Sequence, residues 1–573
     1  MSGSQSLPPA LRPRCSICGA NLTAWANRNL MPGVEVRTAP VDDRMEYQLR
    51  LLGVSAQTRC SRQYTDVHGV NVFHVCGAGH IYFVRNEYVG ISARMPVAES
   101  KVDLVAILGS VAAGKSYLTV RTLNQSLARP YGSGWLSVAA NPGKVVESRP
   151  LSMLESEYDL MRGTGQPMQA TQLDSMLPIQ FLRDIHPGLV ADMTTLIGEA
   201  THRPGLQNAA WLSTIRQPVV RRYAIGETEM MLAVADLSGE TFDSASRLRD
   251  GAAESQHTLM LHKLAEFDTL VWAVDPAVST EFISWGASGD ETLVASTRPE
   301  GLRRDLRQVQ TNREGNQSYV ADLLADSNEL NRDSAWRQRL VVVITKSDLL
   351  DEALASGRQL SELGEEGAVL EAMVSNLRYL LDKAAANDPR WQFSRDPQTA
   401  QLFRRLSLRN RTSREAALGQ FATALLEHFS KRDAFWALVH TGTPMVIDVP
   451  EAEPAVDHPP YVVRLGSIKD YLELSLMEAD RGALNMHDIV MSTLACGIAG
   501  GLGFGGEVAT MLNQSQRTVM FSLCSPFGGV PKMRPAQEDS IELRGSSRVF
   551  PLRKDRSAGL VQLHLHLLRR CLA

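Results

Sequence analysis

The stretch VDLVAILGSVAAGKS, from Val102 to Ser116, decides how the rest of the chain is read. Its first half, Val102 to Leu108, is a nearly continuous apolar run. A strand covered on both faces has no reason to alternate, so this run predicts a buried strand of a parallel sheet. The second half, Gly109-Ser110-Val111-Ala112-Ala113-Gly114-Lys115-Ser116, fits the pattern G-x-x-x-x-G-K-[ST]. In that pattern consecutive backbone N–H groups turn inward to cradle phosphate oxygens, and the glycines permit the path. Lys115 would reach the β- and γ-phosphates, and the Ser116 hydroxyl would ligate Mg²⁺. Tyr117 follows in the first turn and joins the nucleotide-binding set. The helix expected from Lys115 to about Leu127 presents its positive end to the anion.

Working outward, further apolar runs predict strands at Pro218 to Ile225, Glu229 to Ala235, Thr269 to Val274, Leu340 to Ile344 and Thr518 to Leu523. Helical patterns separate several of them. This alternation predicts an α/β fold, a mostly parallel sheet with helices on both faces. The intervals near 117–213, 278–335 and 365–515 are too long for simple connections and read as insertions. Gly559 to Leu572 predicts a terminal helix, and the acidic, Pro-rich Asp448 to Pro460 a linker. Ile489 to Gly506 carries no formal charge over 18 residues and includes the G-x-x-x-G pair Gly497 and Gly501. That length touches the lower limit of a membrane span. Its six glycines and the charge at Glu507 favour a buried helix breaking into a Gly-rich loop.

Two later motifs bear on the ligand. Asp236-Leu-Ser-Gly239-Glu240 ends the strand EMMLAVA and has the form D-x-x-G. The aspartate suits water-mediated contact with Mg²⁺, and the Gly239 N–H suits sensing of a γ-phosphate. Thr345-Lys346-Ser347-Asp348 ends the strand LVVVI. There a carboxylate can accept from both N1–H and N2–H₂ of guanine, a donor pair adenine lacks, while the Lys346 stem covers one face of the base. In this order the motifs resemble those of a TRAFAC-class P-loop GTPase, with Thr345 where asparagine is commoner. The resemblance covers roughly residues 100–350 and a C-terminal return to the sheet.

The resemblance implies a GTP-binding and hydrolysing switch with Mg²⁺ as cofactor and protein partners. It also implies a switch threonine about twenty residues before D-x-x-G. Thr214, 22 residues before Asp236, fits that place, and Thr201 competes with it. Glu240 stands where many members position water with glutamine, so slow hydrolysis relieved by a partner's arginine is expected. Lys115, Thr214 and Glu240 form the expected catalytic set. A last base-contacting loop is assigned to Ser522-Leu523-Cys524, with Thr441-Gly442-Thr443 as its rival. Other readings are a P-loop ATPase or nucleotide kinase, or a nucleotide-gated scaffold with negligible turnover.

Four of the seven cysteines lie in the first 76 residues. Cys15-Ser-Ile-Cys18 and Cys76-Gly-Ala-Gly-His80 are two bidentate knuckles, together supplying the four N/S ligands that tetrahedral structural Zn²⁺ takes. Cys60 is a spare ligand. Residues 1–14 read as a flexible tail, 15–98 as a small zinc ribbon- or treble-clef-like module, and 99–573 as the nucleotide-binding domain with its insertions. A zinc module fused to such a domain resembles the bacterial double-GTPase-like families of multi-gene conflict or phage-defence systems. The 573 residues allow a large core. A net charge of −4 and 6% aromatic residues argue against a nucleic-acid binder. The polar N-terminus has no apolar leader, so a cytoplasmic setting without membrane insertion is expected.

Overall fold

A computed structural model describes residues 100–110, 113–123, 219–225, 228–236, 267–287, 317–327, 338–386, 391–407, 411–450, 461–477, 480–514, 517–525 and 558–572, with short strands and isolated residues elsewhere. The apolar runs become strands β1 (Ser100–Leu108), β3 (Val219–Ile225), β4 (Thr228–Asp236), β5 (Thr269–Val274), β6 (Arg339–Ile344) and β9 (Thr518–Leu523). A two-residue β2 (Ser137–Val138) joins them at one edge. The order across this seven-stranded sheet is β9-β6-β5-β1-β4-β3-β2. From β9 to β4 every neighbouring pair is parallel, and β3 runs antiparallel to β4.

Both faces of the parallel part are covered, which is why its strands do not alternate in polarity. Ala106, Leu108, Leu270, Trp272, Val274, Leu340, Val342 and Ile344 point into one core. Val105, Ile107, Val271, Ala273, Val341 and Val343 point into the other. The second core is closed by α1 (Lys115–Leu123), α7 (Ile468–Leu476) and α10 (Ala558–Leu572). The first takes α2 (Thr280–Ala287), α3 (Ser347–Ala355), α4 (Ala368–Ala385), α5 (Pro397–Leu406), α6 (Arg411–Phe429), α8 (Met486–Ala499) and α9 (Gly505–Gln514).

The segment 278–335, read from its polarity as an insertion, contributes to this core. Phe282 and Trp285 of α2 are buried there, as are Val320, Ala321, Leu323 and Leu324 of a helical segment at 317–327. The expected linker starts later than its composition indicated. Asp448 and Val449 belong to β7 (Met445–Val449), which pairs antiparallel with β8 (Tyr461–Leu465).

The apolar run from Ile489 is a core helix. All residues of α8 except His487 are buried, as expected of a helix that is apolar all round. Asn485 caps it, accepting from the N–H of His487 at 3.0 Å, while Asp488 accepts from the N–H of Asn485 at 3.0 Å. The glycines let α8 lie close against α4. A Cβ at Gly497 would sit 2.4 Å from Met373 Cγ, and one at Gly501 2.8 Å from the Leu363 carbonyl. Past Ala499 the helix widens into a π-turn, Gly500–Phe504, before α9. Met486–Asn513 is the one helix among the described residues long and apolar enough to cross a membrane, and 83% of its most apolar window is buried inside the protein.

Candidate functional site

Because β9, β6, β5, β1 and β4 are parallel, their carboxyl ends share one edge of the sheet. Register aligns them: Ile107 pairs with Asp236, and Ile344 pairs with both Val274 and Leu523. The chain leaves β1 through α1 on one face, toward β4. It passes from β5 to β6 through the helical segment 317–327 on the other face. The order therefore reverses between β1 and β5, and ligands of open α/β sheets bind at such a point, beyond the carboxyl ends.

The Gly109 turn occupies this position. Gly109 has φ 150°, and a Cβ there would come within 2.6 Å of the Ala273 carbonyl on β5. Gly114, at φ 84°, returns the chain into α1. Both conformations favour glycine. Lys115 is buried, and its ammonium donates to the carbonyls of Gly109 at 2.9 Å and Ser110 at 2.8 Å. The cation thus lies across the mouth of the turn. Ala113 is buried, while Ser116 and Tyr117 are half-buried. Val111 and Ala112 lie outside the described residues, as do Thr214, Gly239 and Glu240. Asp236 is placed by its backbone at the end of β4, beside β1.

The loop after β6 is tied down on both sides. Thr345 is completely buried, and its N–H and hydroxyl both donate to the Val274 carbonyl, at 2.8 and 2.9 Å. This threonine therefore extends the β6–β5 ladder by one residue. On the other side, the Cys524 N–H donates to Ile344 O at 2.9 Å and the Ser347 N–H to Cys524 O at 3.2 Å. Lys346 adopts φ 52°, the one positive φ outside glycine among the described residues. A left-handed residue with a β-carbon costs about 1 kcal/mol, and such outliers cluster at functional sites.

Asp348 opens α3, 3% exposed, and accepts from the Ser525 hydroxyl at 2.5 Å. Burial raises its pKa above the usual carboxylate range, partly offset by the Ser525 hydrogen bond and by Lys346.

Ser522 and Leu523, expected in a base-contacting loop, are strand residues. Ser522 is buried opposite Val343, and Leu523 lies in the apolar core. The strand ends at Leu523, as its apolar run predicts, and Ser525, two residues further on, is the hydroxyl that meets Asp348. The rival Thr441-Gly442-Thr443 runs from the last residue of a π-turn, Ala437–Thr441, toward the β7–β8 hairpin, a sheet separate from the main one. Two further residues of this edge carry no motif. Asp275 pairs with Lys346, and Gln317 clasps the Asp275 backbone.

The zinc ligands Cys15, Cys18, Cys76 and His80, with Cys60, lie outside the described residues. Short antiparallel strands surround part of this set: Arg62–Thr65 pairs with Val72–Val75, and Val75 pairs with Ile81. The strands flanking the Cys76 to His80 segment are thus neighbours. Among the described residues no group of three or more His, Cys, Asp or Glu could hold a metal. No protein-family model matches the sequence, and no curated protein is similar to it.

Proposed function

We propose that the chain binds guanine nucleotide with Mg²⁺ at the carboxyl edge of the main sheet and hydrolyses GTP slowly, as a switch acting on protein partners. The observation that carries this reading is the Gly109–Lys115 turn. It stands where the strand order reverses, with its ammonium held on loop carbonyls that phosphate oxygens would replace. The base assignment rests on Asp348, an acceptor whose carboxylate is oriented by Ser525. Ser116 and Asp236 are hard oxygen donors of the kind Mg²⁺ takes, and Asp236 ends the strand next to β1. Glu240 would orient the attacking water, and Thr214 would close over the γ-phosphate.

The nucleotide retained by purified protein, identified by chromatography and mass spectrometry, should be GDP or GTP. Lys115→Ala should abolish binding, and Asp348→Asn should weaken GTP relative to the xanthosine nucleotide. Equal competition by ATP, with no change of ranking in Asp348→Asn, would replace this reading with an ATPase or nucleotide kinase. Phosphate release with co-purifying proteins present separates a switch from a scaffold without turnover. Those proteins also test the bacterial defence setting, which rests on the family resemblance alone.

Residues 15–98 are proposed to hold one structural Zn²⁺ through Cys15, Cys18, Cys76 and His80. Three thiolates and an imidazole suit the ion and leave no open position for catalysis. Elemental analysis of chelator-free protein should find one zinc per chain, and a value near zero would remove the module.

A further inference from the structure

Asp275 lies one residue past the end of β5 and belongs to no sequence motif. It is 1% exposed. One carboxylate oxygen accepts the N–H of Ala277 at 3.0 Å, and the other accepts the ammonium of Lys346 at 2.5 Å. Its main chain is pinned as well. The Asp275 N–H donates to Gln317 Oε1 at 2.6 Å, and Gln317 Nε2 donates back to the Asp275 carbonyl at 3.3 Å. Gln317 is itself completely buried. Asp275 is therefore held, through carboxylate and backbone together, by groups on three segments of chain.

Lys346 is the flexible partner. Its side chain keeps a quarter of its surface exposed, and a lysine stem ordinarily samples many rotamers. Here both of its ends are held, one by the left-handed backbone at φ 52° and the other by Asp275. A stem fixed at both ends is a preformed apolar shelf. A free stem would have to give up rotamer freedom each time a ligand docked.

We propose that Asp275 is a positioning residue for the nucleobase, holding the Lys346 stem extended against the face of the base. The proposal rests on the nucleotide reading of this edge. It divides the labour between two carboxylates. Asp348 reads the edge of the base and discriminates guanine. Asp275 acts through Lys346 on the face, which every purine shares, and contributes affinity without selectivity.

Binding of GDP, ADP, inosine diphosphate and pyrophosphate to the full chain, followed by calorimetry, tests this in wild type, Asp275→Asn, Lys346→Met and the double variant. Asparagine keeps an acceptor for Ala277 and leaves no orphan buried charge. Asp275→Asn should weaken GDP and inosine diphosphate by one common factor, about tenfold, with pyrophosphate unchanged. The double variant should bind no more weakly than Lys346→Met alone. Unchanged GDP binding in Asp275→Asn would overturn the proposal, as would a parallel loss of pyrophosphate or multiplying effects in the double variant.

Should Asp275→Asn fail to fold, Lys346→Met/Asp275→Ser compared with Lys346→Met/Asp275→Asn carries the same test without an unpaired charge, and unequal affinities refute it. A wild type that binds ADP as well as GDP would defeat the guanine reading, while an equal loss of both purines in Asp275→Asn would still sustain the role of Asp275. A wild type that binds pyrophosphate but no purine diphosphate would defeat both.

Discussion

At the amino end of the main sheet, Arg517 is completely buried and donates to Gln338 Oε1 at 3.0 Å, the Leu324 carbonyl at 2.9 Å and the Ser327 hydroxyl at 2.5 Å. Burial lowers its pKa to about 9. Gln338 in turn donates to the carbonyls of Leu264 and Phe267. At the carboxyl end the buried charges are Lys115, Asp275 and Asp348, with Lys346 partly exposed beside them. Both ends bury charge in one sheet, but the partners differ. Arg517 donates to groups on elements fixed in the core, an arrangement that welds β9 to the helical segment 317–327. The carboxyl-end groups sit in loops or at the first turns of the helices that follow them, and two of the connections carry positive φ, at Gly109 and Lys346. Under the proposed function, the difference separates charge used as cement from charge that would meet a ligand.

The largest test of that contrast is Arg517→Met. It should cost about 4 kcal/mol in urea unfolding, because it strands buried acceptors that a charged donor had satisfied. Nucleotide affinity per folded molecule should not change. Loss of nucleotide binding without loss of stability would reverse the assignment of the two ends.

Gly497→Val comes next, at about 3 kcal/mol. Its side chain would drive into Met373 across the α8–α4 contact, where overpacking has no room to relax. Its effect too should be on the denaturation midpoint and not on ligand binding.

The two regions should also answer acid with opposite signs. His566, on the buried side of α10, faces Asp488 and is held neutral, its pKa lowered to about 3 chiefly by burial, with Arg569 adding to the effect. His487, half-buried at the start of α8, is lowered to about 4 by desolvation of its ring. Folded-state values below the unfolded one mean that stability falls as pH drops from about 6.5 through these values. For His566 the loss is about 2 kcal/mol between pH 6.5 and 5. A His566→Gln variant should flatten this part of the pH–stability curve.

Asp348 works the other way. Its raised folded pKa makes stability fall as pH rises from the unfolded carboxylate value through the folded one, and Asp348→Asn should remove that slope. The effect is the smallest of the four, because Ser525 and Lys346 offset the burial. An acid profile unchanged by either variant would show that neither group is linked to folding.

Much of this molecule is legible without coordinates. A run such as Leu340 to Ile344 predicts a strand wherever it falls, because burial on both faces asks for unbroken apolar sequence. The turn from Gly109 to Ser116 is local too, its glycines, lysine and helix start lying within one short stretch. Average polarity understates burial where only one side of a helix is covered. The segment 278–335 reads as solvated on average, yet Val320, Ala321, Leu323 and Leu324 reach the core. Ser522 and Leu523 read both as the end of the strand TVMFSL and as the start of a base-contacting loop, and the structure has them as strand. Pairing with β6 agrees with the strand reading for Ser522 and Leu523.

The sequence by itself determined the strands, the α/β alternation and the glycine turn, since each follows from the burial or backbone demands of adjacent residues. The tertiary structure decided the strand order that sets the turn at the reversal between β1 and β5. It also brought Ser525 to Asp348 across 177 positions and Asp275 to Lys346 across 71. Contacts of that separation leave no local periodicity. They exist because parallel strands deliver their carboxyl ends, from wherever they lie in the chain, to one edge.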